Sequence, residues 1–201
     1  MKPGSSRPHP AQAVGKLRIV GGSLRGSKLV VDDMDGLRPT PDRVRETLFN
    51  WLAPFIDGAR CLDLFAGTGA LGIEALSRGA AQVDFVERDA RLALALRDNL
   101  VRLKQEAGKV RNADALALLG ETAPQSYDIA FVDPPFALNL WDEAARLIEA
   151  NAWLSPHALI YVESPAEPSL NQPQNWHLHR EGRAGAVRYA LYRRSDKLAR
   201  S

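Results

Sequence analysis

The chain of 201 residues holds one cysteine, Cys61, set inside an apolar run. That excludes an intrachain disulfide framework and fits a reducing compartment. Long hydrophobic runs are also missing. No stretch approaches the roughly 20 apolar residues that a membrane-spanning helix needs, and no signal-peptide core opens the chain. The expectation is a soluble, cytoplasmic protein with no membrane partner. His9, His157, His177 and His179 share no ligand spacing, so no metal site is expected. Acid is absent from the first 31 residues, which carry Lys2, Arg7, Lys16, Arg18, Arg25 and Lys28. Net charge is only +2, yet this one-signed block suits a nucleic-acid arm as well as a solvated tail.

A hydrophobic content of 45% is ample for a packed core. Residues 1–15, rich in proline, glycine and serine, read as a disordered lead-in. "LRIVGGSLRGSKLVV" reads as a small hairpin. "RPTPDRVRETLFNWL" opens a helix, with Thr40 as cap, Pro41 in the first helical position, and Val44, Leu48, Trp51 and Leu52 on one face. Strict alternation follows. "RCLDLF", "QVDFVE", "KVRN", "DIAFV" and "ALIYVE" are strands. "GALGIEALSR", "ARLALALRDNLVRL" and "WDEAARLIEA" are helices, the first stopped at Gly79 and the second capped by Asp89. Such alternation predicts an α/β, parallel, doubly wound sheet. "NWHLHREG" and "AVRYALYRR", around Gly182–Gly185, predict an antiparallel pair at its edge. The expected divisions are a tail at 1–15, a hairpin-and-helix extension at 16–55, the main domain at 56–194, and a tail at 195–201.

Two motifs carry chemistry. Gly67, Gly69 and Gly72 follow the first strand of the main domain as G-x-G-x-x-G, and Glu87 lies twenty residues past Gly67 at the next strand end. Glycines let backbone approach a ligand, and a strand-end acid can accept from two ribose hydroxyls. Alone, this fits a nicotinamide enzyme as well as an S-adenosylmethionine enzyme. Asp63, four residues before Gly67, tilts the choice. It would repel a pyrophosphate at the helix N-terminus but suits a cationic amino-acid group. Asp114, after the third strand, suits an adenine amine or a helix cap.

The second motif is Asp133-Pro134-Pro135-Phe136, placed at a strand end where open α/β sheets bind ligands. The exocyclic amine of a nucleobase is a poor nucleophile, because its lone pair is delocalised into the ring. Hydrogen bonds to the Asp133 carboxylate and the Pro134 carbonyl would orient it and favour its developing charge. Phe136 would stack on the base, and the prolines keep the turn rigid. A protein-amide methylase would want Asn at 133. An adenine-N6 DNA methylase would want an added recognition segment. A dehydrogenase or a plain RNA-binding module would leave this motif without purpose.

"RPTPDRVRETLFNWL" joined to "CLDLFAGTGALGIEALSRGA", with "RIVGGSLRGSKL", "FVER" and "FVDPPF", resembles the bacterial RsmD family of 16S ribosomal RNA guanine-N2 methyltransferases, which act on guanine 966. The resemblance runs from about Arg18 to "RYALYRR". It implies a class I S-adenosylmethionine-dependent methyltransferase (Rossmann-like) fold with a seven-stranded, mostly parallel sheet in the order 3-2-1-4-5-7-6, preceded by the small hairpin and helix. It implies S-adenosyl-L-methionine as cofactor. The substrate implied is 16S rRNA in a 30S assembly particle, with ribosomal proteins or folded RNA supplying specificity to a monomeric enzyme. Asp63, Gly67 and Gly69, with flanking Ala66 and Thr68, would line the methionine portion. Glu87 beside Arg88 would take the ribose, Asp114 beside Ala115 the adenine, and Asp133, Pro134, Pro135 and Phe136 the target guanine. Arg18, Arg25, Lys28, Arg38, Arg43 and Arg45 become candidates for tracking RNA phosphates. Arg45 could instead pair with a carboxylate.

Overall fold

The computed structural model describes residues 17–30, 40–167 and 171–195. The lead-in through Lys16, Arg38 and the tail from 196 onward lie outside the described residues. Two strands of two residues, β1 (Leu17–Arg18) and β2 (Lys28–Leu29), pair antiparallel as the predicted hairpin. Helix α1 (Asp42–Leu52) follows. The main sheet comprises β3 (Arg60–Asp63), β4 (Gln82–Glu87), β5 (Gly108–Asn112), β6 (Tyr127–Val132), β7 (Leu154–Pro165), β8 (Trp176–Ala184) and β9 (Val187–Arg194). Their order in space is β5-β4-β3-β6-β7-β9-β8. Counted from β3, that is the expected 3-2-1-4-5-7-6. Only the β7–β9 and β9–β8 pairings are antiparallel in this sheet. Helices α2 (Ala70–Ser77), α3 (Ala90–Arg102), α4 (Ala115–Leu119) and α5 (Trp141–Ala150) link the parallel strands.

The helices form where the apolar spacing is helical. Leu92, Leu96 and Leu100 are the buried stripe of α3, with Leu103 partly buried just beyond, and Asp89 caps the helix by accepting from Arg91 N and Leu92 N. Two cores result, one on each face of the sheet. The first packs α1, α2 and the hairpin over Cys61, Ile129, Phe131, Leu159, Tyr161 and Leu191. The second packs α4 and α5 over Leu62, Ala130, Val132, Ile160 and Tyr192. The period-two alternation of each strand divides these residues between the faces. Gly72 permits the close seat of α2, because a Cβ there would stand 2.1 Å from the Phe85 ring.

Several local expectations are corrected. Pro41, not Thr40, is the residue ahead of α1, and neither provides a side-chain cap; the helix starts at Asp42. The Thr40 hydroxyl instead donates to Glu163 Oε1 at 2.7 Å. Arg45 is fully buried within α1, so it does not track phosphates. Its guanidinium donates to Arg18 O at 2.8 Å and Asp42 Oδ1 at 2.5 Å, and lies 3.9 Å from Glu74 Oε2. That is the carboxylate pairing weighed from the sequence. The turn between β8 and β9 is at Gly185 and Ala186, with φ +60° at Gly185, later than Gly182.

Candidate active site

The acids singled out from the sequence stand at successive strand ends. Asp63 closes β3, Glu87 closes β4, Asp114 follows β5, and Asp133 follows β6. These strands are neighbours in the order β5-β4-β3-β6. At about 4.8 Å per strand, the four acids line roughly 15 Å of one sheet edge. Sequence distance vanishes here because each right-handed crossover returns the chain to the same edge.

Asp63 is 3% exposed, and its Oδ2 accepts from Gly72 N at 3.0 Å, in the first turn of α2. The helix N-terminus that would hold a pyrophosphate is thus already occupied by a carboxylate. Burial, opposed by that N–H and reinforced by Glu87, pushes the Asp63 carboxyl up to about 7. Gly67 and Gly69 have φ of 52° and 76°, left-handed values that admit glycine at least cost. Their loop is tied by Ala66 N to Val86 O at 3.0 Å and Gly69 N to Ala66 O at 2.7 Å. Ala66 and Thr68 are buried, holding the loop backbone to the sheet edge.

Glu87 accepts from Gly67 N at 2.8 Å and Asp89 N at 2.7 Å, one on each carboxylate oxygen. A carboxylate has about four acceptor sites, so capacity remains for hydroxyl donors. Arg88 is exposed beside it. Asp114 is exposed and caps α4 by accepting from Ala117 N at 3.0 Å, with Ala115 buried below. The cap uses Oδ1, so Oδ2 keeps acceptor capacity for a further donor.

At the β6 end Pro134 is buried, Asp133 is partly buried, and Pro135 is exposed. A short 3₁₀ turn, Phe136–Leu138, follows and ends at Asn139 with φ 48°. Phe136 is 40% exposed and meets Trp141 edge-on at 5.5 Å and 69°. It is therefore held against Trp141 while part of its ring stays accessible. Burial first, then the negative charges of Glu163 and Asp63, hold the Asp133 carboxyl well above the ordinary carboxylate range. Glu163 and Tyr161, which sequence reasoning missed, share this region. Among the described residues, no group of three His, Cys, Asp or Glu side chains could hold a metal ion, and no helix is long and apolar enough to cross a membrane.

The basic candidates are less gathered. Arg25, Lys28 and Arg43 are not buried. Arg18 is exposed and lies 3.7 Å from Asp42. All four belong to the hairpin or to α1, on the sheet face that carries the first core.

Sheet order, strand-end acids and the glycine loop define a class I methyltransferase fold. The chain belongs to the family described as Conserved hypothetical protein 95, whose model matches residues 17–193. It is 53% identical over 181 residues to the Escherichia coli K12 protein named Ribosomal RNA small subunit methyltransferase D, covering 90% of this chain and 91% of that one. A Haemophilus influenzae protein of the same name is 49% identical over 183 residues, covering 90% and 95%. The solved structure of Escherichia coli yhhF superposes with a TM-score of 0.85 at 49% identity, covering 91% of this chain and all of that one. The resemblance drawn from "RPTPDRVRETLFNWL" and "CLDLFAGTGALGIEALSRGA" is borne out, and the chain is a methyltransferase.

Proposed function

We propose that the protein transfers a methyl group from S-adenosylmethionine to the exocyclic N2 amine of a guanine in 16S ribosomal RNA, guanine 966 by family resemblance, within a 30S assembly particle. The observation that carries this reading is the Asp133-Pro134-Pro135-Phe136 turn beside the acid-lined glycine loop. The relatives named above carry ribosomal RNA small subunit methylation in their names, which supports the substrate class.

When bound, S-adenosylmethionine supplies an electrophilic methyl group on a positively charged sulfur. Asp63 suits its α-ammonium, Glu87 its ribose, and Asp114 its adenine amine. Arg88 borders the ribose position, Ala66 and Thr68 shape the loop backbone, and Ala115, at the start of α4, sits beside Asp114 at the adenine position. Asp133 and the Pro134 carbonyl accept hydrogen bonds from the guanine amine and turn its nitrogen toward the methyl carbon. Accepting the methyl group would place positive charge on that nitrogen until its proton leaves. A fixed carboxylate and carbonyl stabilise this charge, and Asp133 can take the released proton. Phe136, partly exposed, would stack on the extruded base. Such stacking is worth roughly 1–3 kcal/mol, comparable with the cost of unstacking the base.

The test is methyl transfer from labelled S-adenosylmethionine to 30S particles from cells lacking the gene, followed by nucleoside analysis. Label in N2-methylguanosine is expected. Label confined to another nucleoside would overturn the substrate assignment. Equal transfer to naked refolded 16S RNA would show that ribosomal proteins contribute nothing to recognition.

A further inference from the structure

Glu163, on β7, has no part in the scheme above, yet it stands at the same edge. Val132 pairs with Val162 across β6 and β7, so Asp133, the first residue after β6, and Glu163, still on β7, each follow that pair directly. Residues aligned across parallel strands point to the same face. Asp63 belongs to that face as well, through the register Asp63–Phe131–Tyr161.

The Glu163 side chain is buried, at 6% exposure, and its Oε1 accepts from two hydroxyls: Thr40 Oγ1 at 2.7 Å and Tyr161 Oη at 2.8 Å. Its main-chain carbonyl accepts from Trp141 Nε1 at 2.5 Å, and Trp141 is the ring against which Phe136 rests. Glu163 therefore touches the support of the stacking ring and faces the acid that would hold the amine. A buried carboxylate beside a partly buried one opposes folding unless something else recruits the pair. Like-charged pairs of this kind cluster at functional sites.

We propose that Glu163 is a positioning residue for methyl transfer: locked by Thr40 and Tyr161, it sets the orientation and charge of Asp133 at the target amine. The proposal rests on the reading of Asp133 as the acceptor for that amine. It also assigns a task to the segment ahead of α1. Thr40 reaches across the first core to the reaction edge, so the N-terminal extension completes the site as well as flanking it.

The charge effect supports this geometry. After burial, the negative charge of Glu163 is the strongest influence raising Asp133. Burial raises Glu163 itself, while the hydrogen bonds from Thr40 and Tyr161 act to lower it. The ionisable groups facing the pair are Asp63 from β3, Tyr161 from β7, and Tyr189 from β9, which lies opposite Glu163. Two adjacent carboxylates resist ionising together.

The experiment is the pH dependence of single-turnover methyl transfer to 30S particles by wild type and Glu163→Gln, with S-adenosylmethionine affinity and melting measured in parallel. A glutamine carbonyl still accepts from both hydroxyls, so the packing survives. Asp133 must be ionised to stabilise the developing charge and take the released proton, so transfer is lost as pH falls through its folded value. Removing the neighbouring negative charge lowers that value, so the acidic limb moves to lower pH. The plateau rate should fall roughly tenfold or more as the acceptor loosens, with cofactor affinity within about twofold of wild type. Thr40→Val should move the limb the same way by a smaller amount, because an unanchored Glu163 is more readily neutral. An unmoved limb in folded Glu163→Gln sinks the proposal. So does a loss of cofactor affinity as large as the loss of rate. If Glu163→Gln does not melt cooperatively, Thr40→Val decides, and an unmoved limb there overturns it. Wild type that transfers nothing to RNA removes the functional reading and this proposal together. An unmoved limb in an active wild-type background removes only the proposal.

Discussion

Asp63, Asp133 and Glu163 are acids that the fold does not treat as surface acids. Each is raised above its ordinary value, burial being the largest cause in every case. The folded protein therefore keeps protons at pH values where the unfolded chain has released them, and stability falls as pH rises through that window. For Asp63 the window runs from the ordinary 3.8 to about 7. Asp89, Glu143 and Glu149 are lowered, so their stabilisation is lost only below the ordinary carboxylate range. The ligand-free protein should thus melt higher at about pH 5 than at about pH 7.5, and Asp63→Asn should flatten the difference. A melting temperature that rises steadily across that interval would count against buried, protonated acids. At the same scale, Asp133→Ala should lower methyl transfer by about 10²-fold or more while S-adenosylmethionine binds almost normally. Equal losses in both would reassign Asp133 to the cofactor.

Among the elements, the hairpin and α1 are fastened to the sheet by charge as well as by apolar packing. Glu74 on α2 is fully buried and accepts from Val20 N and Gly21 N, each at 2.8 Å, and from Arg78 Nε at 2.9 Å. Arg45 Nη1 lies 3.9 Å away, and neither it nor Nε makes a hydrogen bond. Asn99 on α3 adds two bonds to Val30, accepting from its N at 3.1 Å and donating to its O at 2.8 Å. The extension is thus built into the first core. Glu74→Ala would leave Arg45 buried with less compensating charge and strip two backbone donors of their acceptor. The expected cost is about 3–5 kcal/mol in denaturant unfolding. A loss below about 1 kcal/mol would place the anchoring in apolar side chains such as Leu17, Ile19 and Leu29 instead.

For the whole molecule, the positive charge that matters is local. Net charge is only +2, while the hairpin and α1 carry Arg18, Arg25, Lys28 and Arg43 on one side of the sheet. If that side tracks RNA phosphates, the combined change Arg25→Gln, Lys28→Gln and Arg43→Gln should weaken RNA binding. It should also reduce the slope of log affinity against log salt by about one for each phosphate no longer neutralised. Cofactor affinity should not change. An unchanged slope would move the RNA footprint to another face. Cations of this kind would position RNA without reading its sequence, so the proposed function leaves the choice of base to other contacts.

Periodicity and spacing were enough for the parallel sheet, the hairpin and the antiparallel edge pair. Apolar stripes and strand alternation are local consequences of which side chains must leave water. Asp63, Glu87, Asp114 and Asp133 were legible for a related reason: each closes a strand or follows one, and right-handed crossovers send every parallel strand end to the same edge. Helix α4 escaped notice because five residues are too few to show a 3.6-residue period. The start of β7 at Leu154 was hidden by Pro156 and by a shift of register between Tyr127 and Ile129. Arg45 and Thr40 looked like a surface cation and a helix cap, since their sequence neighbours allow both. Tertiary structure decided otherwise. Burial places Arg45 between Asp42 of its own helix, at 2.5 Å, and Glu74 of α2, at 3.9 Å, and the carboxylate that holds Thr40 lies 123 residues away on β7. Local sequence sets which residues seek burial. Only packing sets which charges and hydroxyls meet once buried, because that depends on distances between elements that no single segment encodes.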